Sequence, residues 1–301
     1  MKKNRITLFK MALLLCLLPF EAKANSDWSV KKTTIAEITG TPSHTSSEGR
    51  DMVVYSIKRK SSLKEGPKFF IQGGLHGNET QTSQFVLWLI KRIKEGKSPL
   101  NQLPEGSQID FLPYANPDQY AKSRYNSNHI NLNRNFSILW GKSREPAGSH
   151  PHSEKETKAI AALLKAGGYT AATDVHGYVN WIVGPSKAQF VKNTSLRKQR
   201  AYRKWMHALK RALPILDNYK IKDAGSLGDG GAFEDFAFWR LDTFAFCLEM
   251  KKKERVNAKG QDTYQSYETF IGKMFQEAFF LKEGASFRTT RNFYYQSRPS
   301  L

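Results

Sequence analysis

The chain has 301 residues, and its 47 Lys and Arg against 27 Asp and Glu give a formal net charge of +20 at pH 7. The basic residues are scattered and no nucleic-acid-binding motif accompanies them, which argues against a nucleic-acid partner. Their excess predicts a solvated basic surface suited to an anionic cell envelope.

The first 24 residues have the three parts of a secretory signal. A basic start precedes an apolar run from Met11 to Phe20, and the segment ends with the small-x-small sequence Ala22-Lys23-Ala24. The run is shorter than the roughly 20 residues that a membrane-spanning helix needs. We therefore expect cleavage after Ala24, no transmembrane segment in the mature chain, and a periplasmic or secreted protein.

Residues 25–301 are enough for one large α/β domain, and no repeat or linker divides them. Cys247 is the one cysteine in this part of the chain, so an intramolecular disulfide is excluded. Stability must then come from a hydrophobic core. We expect a single domain and a monomer.

Strand-like and helix-like patterns alternate along the domain. Strands are predicted at residues 52–57, 69–72, 109–114, 170–175 and 243–248, and helices from Glu79, from a Ser153/Glu156 capping box, from Ser195 and from residue 264. This alternation predicts a mixed, mainly parallel β-sheet with helices on both faces. In such sheets functional groups gather where strands end and loops begin.

The stretch IQGGLHGNET, residues 71 to 80, leaves an apolar strand through two glycines and places His76 three residues before Glu79. At the start of a helix, residues three apart share a face, so both side chains can reach one ion. His176 in DVHG and Glu249 in FAFCLE also fall at strand ends. A hydrolytic zinc needs three nitrogen or oxygen ligands and an open position, and His76, Glu79 and His176 can fill those three places.

Each of these short patterns also has an ordinary structural explanation. His76 can be a histidine bonded to the backbone, and Glu79 a carboxylate in the first turn of a helix. His150 and His152, in SHPHSE, are competing metal candidates. The short patterns alone therefore leave the metal site open.

Residues 116 to 136 read NPDQYAKSRYNSNHINLNRNF. With GGLHGNE before this segment and DVHG and FAFCLE after it, the ordered motifs resemble the zinc carboxypeptidase family, particularly its short bacterial members, the murein-peptide amidases. The resemblance covers about residues 70 to 250. It implies one zinc ion per chain on His76, Glu79 and His176. It also implies that Glu249 is the general base, which accepts a proton from the attacking water and passes it to the leaving amine.

The same resemblance implies the substrate contacts. Arg124 occupies the position that polarises the scissile carbonyl, and Asn133 with Arg134 matches the pair that holds the substrate's terminal carboxylate, a role suited to a guanidinium. In GDGGAFEDF, Asp235 stands in place of a family Asp. Glu234 then lies at the base of the pocket for the terminal side chain, where an acid favours an ammonium or guanidinium group. The alternative is that Glu234 is an exposed helix residue.

Two positions depart from the family pattern. Asn131 stands where the family usually has an Asp that orients a zinc-binding histidine. An amide oxygen can still accept the imidazole proton, but it carries no charge. Residues 225–232, GSLGDGGA, lack the expected substrate-contacting tyrosine, which Tyr178 or Tyr219 could replace.

These features predict a zinc metallocarboxypeptidase or amidase that cuts a peptide bond near a free C-terminal carboxylate. The predicted substrate is a murein peptide, cut between D-glutamate and diaminopimelate. Three alternatives are a carboxypeptidase that removes Lys or Arg, a deacylase of the aspartoacylase type, and a catalytically weak wall-binding protein, which Asn131 favours. The basic, aromatic tail from Gly284 is predicted to be a final strand or a wall-facing arm.

Overall fold

The computed structural model describes residues 27–61, 65–251 and 262–284. The predicted signal, residues 1–24, and the tail after Gly284 lie outside these ranges. Within them, every helix is too short or too polar to cross a bilayer.

The described residues form one eight-stranded β-sheet with the spatial order β1-β2-β4-β3-β5-β8-β6-β7. Its strands are β1 (Trp28–Thr34), β2 (Val53–Arg59), β3 (Lys68–Gly73), β4 (Gln108–Leu112), β5 (Ala171–Gly177), β6 (Trp181–Gly184), β7 (Lys220–Asp223) and β8 (Phe244–Met250). The α-helices are α1 (Ile35–Thr39), α2 (Thr80–Lys94), α3 (Lys155–Gly167), α4 (Leu196–Ala212), α5 (Phe233–Asp235) and α6 (Thr263–Lys282). A π-helical turn (Phe236–Arg240) follows α5, and 3-10 turns lie at Pro99–Gln102, Pro117–Gln119, Leu132–Arg134, Ala188–Phe190, Leu213–Ile215 and Ala224–Leu227.

The centre of the sheet is parallel and its flanks are mixed. Strands β4, β3, β5 and β8 run parallel to one another, and β6 runs parallel to β7. The pairs β1/β2, β2/β4 and β6/β8 are antiparallel. The prediction of a mixed, mainly parallel sheet is confirmed, and the five predicted strands correspond to β2, β3, β4, β5 and β8.

Packing around β3 shows that both faces of the sheet are covered. Phe69 stacks on Phe275 of α6 with ring centroids 4.6 Å apart, while its neighbour Phe70 packs against Phe233 of α5 at 6.1 Å. Consecutive side chains on a strand point to opposite faces, so α6 and α5 lie on opposite sides. All four rings are buried. This arrangement confirms the predicted helices on both faces.

The predicted capping box at the start of α3 is wrong. The helix begins at Lys155 with Glu154 as N-cap, and no side chain caps it. The Ser153 hydroxyl donates to Glu154 Oε1 at 2.7 Å. The Glu156 carboxylate instead accepts hydrogen bonds from the backbone N–H and hydroxyl of Ser47, at 2.8 and 3.0 Å. Glu156 therefore bonds to Ser47, which is distant in the sequence, and does not cap its own helix.

Candidate active site

The candidate site lies at the carboxyl ends of three neighbouring parallel strands, β3, β5 and β8. His176 and Glu249 are register partners at the ends of β5 and β8. The chain leaves β3 through Gly74, whose φ of +70° lies in the left-handed region that glycine tolerates best. A Cβ at this position would lie 2.5 Å from Ser83 Oγ. The turn that delivers His76 therefore depends on a glycine.

Three buried side chains meet at this edge with their ligand atoms directed at one another. Glu79 Oε1 lies 2.8 Å from His76 Nδ1, and Glu79 Oε2 lies 3.1 Å from His176 Nδ1. One ligand atom from each residue falls within 4.8 Å of the other two. The sequence predicts that His76 and Glu79 share a face at the start of a helix. In the structure they do not, because Glu79 is the N-cap of α2 and His76 precedes the helix.

The competing histidines lie elsewhere. Within the described ranges, His76, Glu79 and His176 are the one group of three or more His, Cys, Asp or Glu that could hold a metal ion. His150 is exposed and its Nδ1 contacts the carbonyl of Pro151. The ring of His152 packs edge-on against Phe236 at 4.9 Å. In the part of the chain that the structure describes, neither histidine belongs to a group of potential metal ligands.

In each histidine of the cluster, Nε2 lies within hydrogen-bond distance of a side-chain oxygen atom. His176 Nε2 lies 2.6 Å from Asp174 Oδ2, and His76 Nε2 lies 3.0 Å from Asn131 Oδ1. A proton on each Nε2 leaves the lone pair of Nδ1 free for a metal ion. Asp174 was not predicted from the sequence. Residues two apart on a strand share a face, so Asp-x-His at a strand end was the signal that could have revealed it.

The pKa values of the two histidines are shifted in opposite directions. Burial lowers the pKa of His76 below its usual value. Burial acts in the same direction at His176, but the carboxylates of Asp174 and Glu79 outweigh it and raise that pKa well above the usual value. Burial also favours the neutral form of Glu79, yet the two imidazoles hold its pKa well below its usual range. Glu79 is therefore an ionised carboxylate.

The donor set fits zinc. Two imidazole nitrogens and one carboxylate are the ligands found in hydrolytic zinc sites, which keep a further position open. The three residues reach one point from a loop, the start of α2 and the end of β5. They could hold one metal ion.

Glu249 borders a cavity of about 240 Å³ that also contains His76 and His176. Its Oε2 is buried and has no hydrogen-bond partner among the described residues. Burial raises the pKa of Glu249 to about 7. A carboxyl group with a pKa near neutrality is suited to accept and return a proton.

Arg124 reaches the cluster from the segment after β4. Its NH1 lies 3.0 Å from His76 Nδ1 and 3.2 Å from Glu79 Oε1. Its side chain is about one-third exposed (34%). Arg124 also lines the cavity that Glu249 borders.

Asn133 and Arg134 both line the cavity. Asn133 Oδ1 accepts a hydrogen bond from the Phe233 N–H at 2.8 Å. The Nδ2 atom of Asn133 therefore faces His176, whose Nε2 lies 3.4 Å away. Arg134 donates from Nε to Ser143 at 3.1 Å, from NH1 to the Asn133 carbonyl at 2.8 Å, and from NH2 to Asp229. These bonds use three of its five N–H donors. Arg134 therefore keeps capacity for a further carboxylate.

Two carboxylates around Arg134 were not predicted from the sequence. Asp229 also lines the cavity, and burial raises its pKa. Glu145 lies 3.7 Å from Arg134 NH2, and it accepts a hydrogen bond from Asn131 Nδ2. Both residues stand in irregular segments, where no periodic pattern singles them out.

Glu234 lines the cavity and is 2% exposed, so the alternative of an exposed helix residue is wrong. Its Oε2 has no hydrogen-bond partner among the described residues. Burial, with a smaller effect of Asp235, raises the pKa of Glu234 well above its usual value. Asp235 instead accepts hydrogen bonds from the N–H and hydroxyl of Ser186, both at 2.6 Å, and so connects α5 to the segment after β6.

The two tyrosine candidates lie in different places. Tyr178 lines the cavity beside His176. The hydroxyl of Tyr219 is tied to the Glu249 carbonyl at 2.8 Å and to Tyr267 at 2.9 Å, and the residue is buried. Of these two tyrosines, only Tyr178 lines the cavity.

The chain is similar in sequence and in fold to known carboxypeptidases. It is 31% identical over 145 residues to mouse carboxypeptidase D and 30% identical over 169 residues to rat carboxypeptidase B, matches that cover 43% and 47% of this chain. They span only 10% and 40% of those longer relatives. Bovine thrombin-activatable fibrinolysis inhibitor, solved with a tick carboxypeptidase inhibitor, has a similar fold, with a TM-score of 0.61 and 19% identity over 92% of this chain and 96% of that one.

A metallocarboxypeptidase structure from Burkholderia cenocepacia also has a similar fold, with a TM-score of 0.58 and 16% identity over 87% of this chain and 67% of that one. The model of one family, described as zinc carboxypeptidase, matches residues 32–283. That span contains strands β2 to β8, the cluster of His76, Glu79 and His176, and the cavity. The chain belongs to the zinc carboxypeptidase family.

Proposed function

We propose that the protein is a zinc-dependent carboxypeptidase or amidase that hydrolyses a peptide bond next to a residue with a free carboxylate and a cationic side chain. His76, Glu79 and His176 would hold the zinc ion. When bound, zinc polarises a carbonyl group and activates water for attack. The buried, converging ligand atoms of these three residues support this assignment.

The other residues of the site have chemically distinct tasks in this proposal. Glu249 accepts the proton of the attacking water and delivers it to the leaving amine, a task suited to a half-buried carboxyl group with a raised pKa. Arg124 stabilises the negative charge that develops on the carbonyl oxygen. Asn133 Nδ2 and the remaining donors of Arg134 hold the substrate's carboxylate.

Glu234 carries the substrate assignment. It is a buried carboxyl group whose Oε2 lacks a partner among the described residues and which lines the same cavity as Arg134 and Glu249. An unpaired buried carboxyl group is costly. A cationic side chain in the cavity would supply the missing partner and favour the ionised form of Glu234.

A murein peptide that ends in diaminopimelate meets these conditions. The leaving residue has a free carboxylate for Arg134 and an ammonium group on its side chain for Glu234. The signal-like segment at residues 1–24 would deliver the protein to the compartment that contains such peptides. The bond cut would be the one between D-glutamate and diaminopimelate.

A substrate panel tests this proposal. Purified zinc-loaded protein is assayed on the murein tripeptide, on a tripeptide that lacks only the side-chain ammonium group, and on peptides that end in Lys, Arg, Phe or Leu. We expect the murein tripeptide to be cleaved most efficiently. Preference for Lys or Arg endings would favour the alternative carboxypeptidase, and preference for Phe or Leu would contradict the cationic pocket.

Glu234→Gln sharpens the test because it removes a charge and almost no volume. The kcat/KM for the murein tripeptide should fall more than the kcat/KM for the neutral analogue. The difference corresponds to a loss of roughly 1 to 3 kcal/mol in transition-state stabilisation. Glu268→Gln is the matched control, since Glu268 is a buried acid that pairs with Arg92 on α2, away from the cavity. Equal losses on both substrates would contradict the role of Glu234 and leave the zinc site intact.

A further inference from the structure

Glu145 contacts the metal-ligand cluster through an intermediate residue. Its carboxylate accepts a hydrogen bond from Asn131 Nδ2, and Asn131 Oδ1 lies 3.0 Å from His76 Nε2. We propose that Glu145 is a positioning residue for His76, which acts through the Asn131 amide to orient the imidazole and to supply the negative charge that the amide lacks. This inference rests on the metal site of the proposed function.

The orientation of the Asn131 amide is decided by two neighbours with opposite requirements. The backbone N–H of Asn133 can only donate, and it lies 2.9 Å from Asn131 Oδ1. The ionised carboxylate of Glu145 can only accept, and it lies against Asn131 Nδ2. A flipped amide would put two donors together on one side and two acceptors together on the other. The oxygen of Asn131 must therefore face His76.

This orientation decides which nitrogen of His76 carries the proton. An amide oxygen only accepts, so the neutral imidazole donates from Nε2 and keeps its lone pair on Nδ1. Nδ1 is the nitrogen that lies 2.8 Å from Glu79 Oε1 and 3.1 Å from His176 Nδ1. The chain from Glu145 thus favours the tautomer that can bind a metal ion. A rotated or unsupported amide would let the other tautomer compete.

Two guanidinium groups keep the charge of Glu145 in place. Arg124 Nε lies 3.5 Å from one carboxylate oxygen, and Arg134 NH2 lies 3.7 Å from the other. Burial raises the pKa of Glu145, but the Asn131 hydrogen bond and the two arginines together lower it. An ionised carboxylate is therefore placed two hydrogen bonds from His76. It compensates for the neutral residue at position 131.

Zinc affinity tests this inference without relying on activity. Metal-free protein is titrated with zinc against a chromogenic chelator, and folding is checked by the thermal unfolding transition. Glu145→Gln keeps an acceptor for Asn131 but removes the charge, and we expect zinc binding about 10-fold weaker, within the range for residues that support a metal ligand. An unchanged affinity would overturn the proposal.

A charge relocation makes the test specific. In Asn131→Asp alone, two carboxylates face each other at hydrogen-bond distance, so we expect a lower unfolding temperature and no gain in zinc affinity. Asn131→Asp combined with Glu145→Gln moves the one carboxylate next to His76 and should recover most of the wild-type affinity. The proposal would be overturned if the double variant bound zinc no more tightly than the tighter of the two single variants. Should Glu145→Gln fail to fold, the double variant is compared with Asn131→Asp alone.

Asp229→Asn is the matched control. Asp229 also pairs with Arg134, but among the described residues no hydrogen bond joins it to Asn131. The zinc affinity of the Asp229→Asn variant should equal that of the wild type. An equal loss of affinity in Asp229→Asn and Glu145→Gln would show that the pairing with the arginines is responsible, and it would overturn the role of Glu145. A wild-type protein that binds no zinc would be a different failure, because it would refute the proposed metal site itself.

Discussion

The candidate site has two halves that differ in the backbone that carries them. The strand half consists of Asp174, His176 and Glu249; the loop half consists of His76, Glu79, Asn131 and Glu145. The register of β5 and β8 places His176 beside Glu249, and strand geometry places Asp174 on the same face as His176. The loop half is assembled from a turn, the start of a helix and two irregular segments.

The two halves therefore hold their histidines in different ways. The Asp174 carboxylate lies 2.6 Å from His176 Nε2. The Asn131 amide oxygen lies 3.0 Å from His76 Nε2, and the Glu145 carboxylate reaches His76 only through this amide. The pKa of His176 is raised by Asp174 and Glu79, while burial lowers that of His76. Direct charge on a rigid strand is the stronger support. Changes in the strand half should consequently have the larger effects.

The largest effect is expected when the strand half loses His176, its proposed metal ligand. His176→Ala removes one of the three side chains that converge on the site, so zinc should no longer bind stoichiometrically. The affinity, measured by chelator competition, should fall by more than the roughly 10- to 100-fold typical of residues that only support a ligand. His150→Ala, at an exposed loop histidine, is the control and should bind zinc like the wild type. Unchanged zinc affinity in His176→Ala would refute the ligand assignment.

The next effect separates chemistry from metal binding within the strand half. Glu249→Gln removes a proton acceptor but almost no volume, so the fold and the zinc content should be retained. Turnover should fall at least roughly 100-fold, because positioned acid–base groups contribute roughly 10²- to 10⁴-fold. Metal analysis and steady-state kinetics on one sample check both statements. Near-normal turnover in a zinc-loaded sample would rule out the role of Glu249 as the base.

The strand half was the easier half to predict from the sequence. Strands β5 and β8 are apolar runs, and His176 and Glu249 stand at their ends, where parallel sheets place functional groups. The same reasoning, extended by the two-residue strand period, would have included Asp174. The short strands β6 and β7, with four residues each, lacked a run long enough to recognise.

The loop half could be predicted only in part. His76 and Glu79 were found because they stand three apart after a strand and two glycines. Asn131 was found through the family resemblance. Glu145 follows Asn131 by 14 residues in a segment without helix or strand, so their hydrogen bond depends on the path of the folded chain and leaves no periodic signal. Long-range contacts of this kind require the structure.

The smallest of the three effects tests the contrast between the halves directly. Asp174→Asn converts the support of His176 into an amide, as at His76, and leaves an acceptor oxygen in place. We expect zinc affinity to fall by roughly 10- to 100-fold, because the charge in contact with the ligand is lost. Asp110→Asn is the matched control: Asp110 is also buried on a central strand, where it accepts a hydrogen bond from the Tyr169 hydroxyl at 2.7 Å, and it lies outside the cavity.

Asp174→Asn and Glu145→Gln then measure the two supports on one scale. The Asp174 carboxylate is one hydrogen bond from its histidine and the Glu145 carboxylate is two, and electrostatic interaction weakens with distance. The loss of zinc affinity should therefore be greater for Asp174→Asn. The opposite order would mean that the loop half depends more on charge than the strand half, and that the strand backbone alone holds His176 in place.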